Sequence, residues 1–265
     1  MKAQLKIFSD GNHHMALEAA CQLFLKQNPD VQDIFYTTAP AGTVKDAFTS
    51  GVLRLGNLSL SVKPNVFVGP QKVVGPLHKA DKITEPSPFA QSRGSVLLVK
   101  KDNPCNIHTI SDLLRKDVRL ACSSPTKEKA SFNVYSTTLC NLAMKEGGQD
   151  MSDAMIVSFI TSQVHSGRVH HREIPQLIAS GVADVAPLYY HLALRYVTIF
   201  PKEFDIIPLG GTVENPQPGS EHTLNTYLVS VVNDNAGEWG EKFAEFMLSQ
   251  DVADIYKEKG LTPVS

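Results

Sequence analysis

Apolar residues recur along this chain in two rhythms, one of short continuous runs and one at helical spacing. Leu5-Lys6-Ile7-Phe8 belongs to the first and reads as a strand that ends in the turn cluster Ser9-Asp10-Gly11-Asn12. The second begins at about His13, where Ala16, Ala19, Ala20, Leu23 and Phe24 share one helical face as far as Gln27. Asn28-Pro29-Asp30 stops that helix. Gln32 to Thr37 is expected as a second strand, Ala39-Pro40-Ala41-Gly42-Thr43 as a loop, and Val44 to Ser50 as a helix. Asn65-Val66-Phe67-Val68 is a short apolar strand closing at Gly69-Pro70. Strands alternating with helices predict a parallel or mixed sheet.

The same alternation returns downstream. Ser95-Val96-Leu97-Leu98-Val99 is continuously apolar, as expected of a strand buried on both faces. Ser111 to Leu114 reads as a short helix with a Ser or Asp cap, Val118 to Cys122 as a strand, and Ser123 to Thr126 as a loop. Helices are expected over Ser131 to Lys145 and over Ile174 to Ala179, the latter ending at Gly181. Ala183 to Ala186 reads as a strand, and the Gly- and Pro-rich stretch Gly210 to Gly219 as a linker or surface loop. Thr226 to Val232 is again strand. Ala236 to Leu248 and Asp251 to Lys259 are two closing helices, with Gly260 suited to the position after the second.

Composition narrows what such a chain does. At 265 residues it makes two domains or one large α/β unit, given about 150 residues per domain. Hydrophobic residues at 42% and charged residues at 20% exclude a disordered, collagen-like or coiled-coil chain. The 25 Lys and Arg nearly balance the 27 Asp and Glu, so nothing draws the chain to a phosphate backbone and no nucleic-acid partner is expected. No apolar stretch approaches the roughly 18 residues of a membrane span. The opening residues Met1 to Phe8 do not read as a secretory signal, which leaves a cytosolic protein or one whose signal is not included. Cys21, Cys105, Cys122 and Cys140 form no C-x-x-C pair and read as packed thiols, with one bridge open in an oxidising compartment. There is no G-x-S-x-G, H-E-x-x-H, Walker-A or G-x-G-x-x-G motif.

Several segments, taken in order, resemble one family. They are Gly94 to Lys100 with Asn103-Pro104, Ile110 to Leu113, Val118 to Ala121 with Ser124-Pro125, Ile174 to Val185, and Phe243 to Gln250 with Tyr256 to Leu261. Together they are similar to bacterial solute-binding proteins, and most of all to the molybdate-binding proteins of ABC importers. The resemblance implies a two-lobed α/β fold of the type II periplasmic binding kind. Each lobe would be a mixed sheet flanked by helices, with the ligand cleft between lobes that close by hinge motion. It divides the chain into a discontinuous lobe of residues 1–92 and 221–265 and a second lobe of residues 93–220.

The resemblance also nominates residues. Asn12 falls at the family's oxyanion-binding serine, in a loop with Ser9 and His13; its amide NH₂ keeps a donor there, while an ordinary loop would use it to cap the helix. Ala41 and Gly42 stand where the family has Ser-Gly, leaving backbone amides and the Thr43 hydroxyl. Gly69 precedes Pro70, which lacks the N–H the family offers. Ser131, or Ala130 beside it, falls at an amide donor of the second lobe; as a helix cap it would serve equally. His170, His171 and Arg172 open a helix where another amide donor is expected near His171, and would offer cationic or imidazole donors to an anion. Tyr189 aligns with a tyrosine whose hydroxyl reaches the ligand, or it packs. Asp184 reads as a cap.

The resulting expectation is an extracytoplasmic, monomeric, non-enzymatic protein without cofactor or metal. It would capture a small anion, molybdate- or tungstate-like or a related carboxylate or phosphate ester, for the membrane permease of an ABC importer. Two other readings stay open at this point. One is a cytosolic ligand-sensing module of the same fold. The other is a metal-dependent enzyme in which His13, His14, His170 and His171 converge.

Overall fold

The computed structural model of the chain describes residues 3–161, 164–167 and 169–264. Packing divides it into two units, Met1–Ser92 with Asn225–Ser265, and Arg93–Leu224. The first unit opens with β1 (Leu5–Asp10), a 3-10 turn at Gly11–His13, α1 (His14–Gln27), β2 (Ile34–Ala39) and α2 (Ala41–Ser50). It continues through the hairpin β3 (Val52–Leu55) and β4 (Leu58–Ser61), then β5 (Val66–Pro70), α3 (Gln71–Lys79) and β6 (Ser87–Ser92). The second unit holds β7 (Ser95–Lys100), a 3-10 turn at Ser111–Leu114, α4 (Lys129–Thr161), α5 (His170–Ala179), β8 (Val185–Tyr189), α6 (Tyr190–Ile199) and β9 (Phe204–Pro208). The chain returns to the first unit with β10 (Thr226–Val231), α7 (Gly237–Phe246), α8 (Gln250–Glu258) and β11 (Leu261–Pro263).

The first unit is a six-stranded mixed sheet in the order β11-β6-β10-β5-β1-β2. β5, β1 and β2 run parallel, whereas β10 is antiparallel to both β5 and β6. Alternation along β1 sorts its side chains between the faces. Leu5 and Ile7 pack with Phe24 of α1, Phe243 of α7 and Tyr256 of α8, whereas Phe8 packs with Val44 of α2 and Val74 of α3. The second unit has the sheet β8-β7-β9, with β7 antiparallel to both neighbours. Here Leu97 and Val99 join Leu139 and Phe159 on one face, while Val96 and Leu98 join Ile174 and Leu188 on the other. That double burial is why β7 is apolar at consecutive positions.

Several expectations are corrected. Val118 to Cys122 forms single bridges, Leu120 to Val185 and Cys122 to His165, rather than a strand. α4 begins at Lys129, because Phe132 N–H donates to Glu128 O at 2.9 Å; Ser131 therefore lies inside the first turn and caps nothing. α4 also runs on to Thr161, through a break at Gly148, where φ is 76°. α5 starts at His170, not Ile174, because the Glu173 carboxylate folds back onto the Val169 and Gly167 N–H groups. Residues 221–224 belong with the second unit. There the Ser95 N–H donates to His222 Nδ1 at 3.2 Å, His222 Nε2 lies 2.9 Å from Leu209 O, and Glu221 pairs with Lys145. This imidazole fixes the entry to β7: at Gly94, with φ of 75°, a Cβ would meet His222 Nδ1 and Pro218 Cβ at 2.7 Å.

All four cysteines carry free thiols, and burial pushes Cys21 up to about 12. Among the described residues no helix is long and apolar enough to cross a membrane.

Candidate functional site

Two edges carry the nominated residues, one in each unit. In the first unit the parallel register sets Asp10 of β1 beside Ala39 of β2, and Ser9 of β1 beside Val68 of β5. The carboxyl ends of these three strands therefore line one edge, and each leads straight into a helix: the 3-10 turn and α1, α2, and α3. The N-caps of α2 and α3 are Pro40 and Pro70, and no side chain caps either helix. Their first-turn N–H groups, with the positive ends of the helix dipoles, face this edge. Asn12, Ala41 to Thr43 and Gly69 are brought together here.

Ser9 and His13 sit behind this edge, both fully buried. Ser9 Oγ donates to Asp10 O at 3.0 Å and lies 2.9 Å from His13 Nε2; His13 Nδ1 lies 2.8 Å from the Tyr256 hydroxyl. One proton assignment satisfies the chain: Tyr256 donates to Nδ1, and Nε2–H donates to Ser9. Ser, His and Asp are adjacent here, but Asp10 Oδ1 approaches the same Nε2, at 3.8 Å, that already serves Ser9. A nucleophile–base relay needs the acid on the other nitrogen, so this cluster acts as a buried brace.

Asp10 is the feature that sequence reasoning missed. It is 6% exposed. Its Oδ2 accepts from Asn12 Nδ2 at 3.4 Å, and its Oδ1 has no hydrogen-bond partner. Burial raises its pKa to about 7, against the pull of the Asn12 backbone N–H. A run such as Ser9-Asp10-Gly11-Asn12 looks like a solvated turn; only the extension of β1 to Asp10 buries the carboxylate.

The second unit gathers a different set. Tyr189 ends β8 opposite Ser95 of β7, is buried, and donates its N–H to the Tyr135 hydroxyl at 3.4 Å. Its ring stacks on His191 with centroids 5.5 Å apart. Ser95 Oγ, beside Tyr189 in the register, is buried without a hydrogen-bond partner, and so is Ser123 Oγ elsewhere in this unit. The start of α5 is occupied by the chain's own carboxylates. Glu128 Oε1 accepts the His170 N–H at 2.7 Å and Oε2 accepts from Ser166 Oγ; Glu173 accepts from Gly167 N–H at 2.6 Å and Val169 N–H at 3.3 Å. His170 is buried, with Nε2 2.9 Å from Pro187 O, and burial lowers its pKa to about 4, so its imidazole is neutral. His171 O accepts from the Tyr196 hydroxyl at 2.7 Å, while Arg172 is exposed. Among the described residues no group of three or more His, Cys, Asp or Glu side chains could hold a metal ion.

The family model described as bacterial extracellular solute-binding protein matches residues 5–262. Among curated protein sequences none matches the chain significantly. Solved structures that resemble it include the substrate-binding domain of a molybdenum ABC transporter from Clostridium difficile, 18% identical with a TM-score of 0.67, covering 98% of this chain and 99% of that one. PEB3 of Campylobacter jejuni bound to L-phospholactate is 14% identical with a TM-score of 0.66, over 97% and 99% of the two chains. The sulfate-binding protein SubI of Mycobacterium tuberculosis is 18% identical with a TM-score of 0.67, over 98% and 87%. Likeness at this level of identity establishes the fold, the two-lobed α/β fold of periplasmic binding proteins.

Proposed function

We propose, since this chain belongs to the family of bacterial extracellular solute-binding proteins, that it captures a small anion outside the cytoplasm for the permease of an ABC importer. One observation carries the anion: in the first unit, parallel strand ends deliver two helix N-termini that no side chain caps. Uncapped first-turn amides and the helix dipole favour a bound anion without a counter-charge. Asn12, the amides of Ala41 and Gly42, and Thr43 are the donors of this reading. The protein works as a monomer and performs no chemical step on what it binds. The likeness to a molybdenum transporter's binding domain, a sulfate-binding protein and an L-phospholactate complex supports an oxyanion or a small phosphorylated or carboxylic acid.

A thermal-shift panel tests it, with dialysed protein against molybdate, tungstate, sulfate, phosphate and small carboxylates. A ligand that binds only the folded state adds about 4 kcal/mol at a thousandfold excess over Kd. A large shift with one anion or a related group is the expected result. A panel in which none of these anions raises the Tm would overturn the reading.

A further inference from the structure

We infer that the open side of β9, in the second unit, takes up an extended segment of another polypeptide as an added antiparallel strand, and that the segment it fits carries a lysine or arginine among apolar residues. This surface is independent of what the strand ends bind. In the order β8-β7-β9, β9 pairs with β7 alone. The Lys101 N–H donates to Glu203 O at 2.9 Å, and the register continues with Lys100 opposite Phe204, Val99 opposite Asp205, Leu98 opposite Ile206 and Leu97 opposite Ile207. Bonded and non-bonded pairs alternate along an antiparallel ladder. Asp205 and Ile207 therefore turn their N–H and C=O groups to β7, while Phe204 and Ile206 turn theirs away from it, as Pro208 does its carbonyl. Among the described residues these outward groups have no hydrogen-bond partner. A strand side left open in this way is a template for one more strand.

The surroundings say what kind of strand fits. A cavity of about 490 Å³ lies along β9, and both faces of the strand contribute to its wall. Ile206 comes from the face that packs with α5 and α6, and Ile207 from the face that packs with α4. A cavity that reaches both faces follows the rim of the strand, where an added strand would run. Val197 of α6 and Val213 extend the apolar wall on the Ile206 side. The charge along the cavity has one sign: Asp205 and Glu214 line it, with no lysine or arginine among the described residues. Asp205 holds Lys101 at 2.8 Å, whereas the exposed Glu214 makes no ion pair among the described residues. An incoming segment thus finds backbone donors and acceptors, apolar walls for alternate side chains and a carboxylate for a basic one, as strand addition requires.

The test uses the full chain and a short, capped, fluorescein-labelled peptide of alternating lysine and valine. Fluorescence anisotropy should show saturable binding. The same peptide N-methylated throughout keeps every side chain and loses its backbone donors; it should bind at least about tenfold more weakly. Glu214→Lys, at an exposed position outside the strand, should weaken the unmethylated peptide at least about threefold, and more at low salt. Amide hydrogen exchange reads the register. In the free chain the Asp205 and Ile207 amides should exchange slowly and those of Phe204 and Ile206 quickly, and the peptide should slow the second pair. Equal binding of the methylated peptide would reduce the effect to charge adsorption and overturn the assignment. Slow exchange at Phe204 and Ile206 in the free chain would mean that this side is already covered, by the chain or by a second copy of it, and would overturn it too. So would the absence of binding, and none of these outcomes touches the small-anion reading, which the thermal-shift panel decides.

Discussion

The two units end their strands in different ways. In the first, Pro40 and Pro70 bring α2 and α3 to the edge without a side-chain cap, and the buried Asp10 Oδ1 at the end of β1 has no hydrogen-bond partner. In the second, Glu128 and Glu173 fill the start of α5 from within the chain, and His170 is buried as a neutral imidazole. One edge leaves the amides of two helix starts without a side-chain cap. The other has spent the donors of α5 on its own fold and keeps hydroxyls. An imidazole or arginine beside a helix start is therefore weaker evidence of an anion site than an amide that nothing caps.

The largest expected effects come from the buried titratable group on each side, because their proton linkages have opposite signs. His170 has a folded pKa of about 4 against an ordinary 6.5, so in that window the unfolded chain binds a proton that the folded chain refuses. Stability from this group is lost as the pH falls from 6.5 towards 4, by about 1.4 kcal/mol per unit and on the order of 3 kcal/mol in all. Asp10 has a folded value of about 7 against 3.8, so the folded chain holds a proton that the unfolded one releases. Its contribution is complete below 3.8 and lost as the pH rises through 7, a swing of about 4 kcal/mol. Between pH 4 and 6.5 the two oppose each other. Asp10→Asn should thus be more stable than wild type at pH 8, lose that advantage by pH 4, and fall steeply with acid where the wild type is flat. Urea unfolding at pH 4.5, 6 and 8 reads this, and parallel curves for the two proteins would remove Asp10 from the account.

Next in size is Glu128→Ala. It strands the Ser166 hydroxyl and the His170 N–H, and should cost about 2 kcal/mol in denaturant unfolding. The variant also sharpens the comparison, since it gives α5 the uncapped start that α2 and α3 already have. Sulfate at tens of millimolar should then restore part of the lost stability in the variant and not in the wild type. Equal sulfate effects on both would mean that Glu128 does not occupy an anion position.

Backbone donors in the first unit can be probed without a side chain. Pro40 has ψ of 143°, a conformation that tolerates a following proline, and position 41 is the first of α2. Ala41→Pro should keep the fold and remove one N–H. The expected loss is about tenfold in anion affinity, comparable with one hydrogen bond to a charged group, with Tm nearly unchanged. Unaltered affinity would place the ligand elsewhere.

Much of the architecture was legible because burial on both faces leaves a continuous apolar run. β7 and β10 were read within a residue of their ends for that reason. β3, β4, β6, β9 and β11 were not, since short strands with mixed faces carry no such signal; Leu58-Ser59-Leu60-Ser61 and Ser87 to Ser92 look like polar loop. α3 hid behind Pro76, and α6 behind an aromatic run that begins inside β8. At the candidate site, the loops were legible from turn residues and from the family resemblance. The hydrogen bonds that make Ser9 and His13 internal, and Glu128 a plug, depend on partners 4 to 243 positions away along the chain, which no local pattern reports.

The smallest effect expected concerns Arg172, which sequence alone makes an attractive anion ligand. The side chain is exposed on α5, and the helix start behind it already holds two carboxylates. A solvated guanidinium at physiological salt is screened within about 8 Å, and an exposed ion pair contributes about 0–1 kcal/mol. Arg172→Ala should accordingly change anion affinity by no more than about twofold, within the spread of such surface pairs. Its on-rate should show only a weak salt dependence relative to wild type. A tenfold loss would show that the second unit does offer positive charge to the ligand. The contrast between the two edges would then fail at the point where it began, because a helix start plugged by glutamates would still be serving an anion.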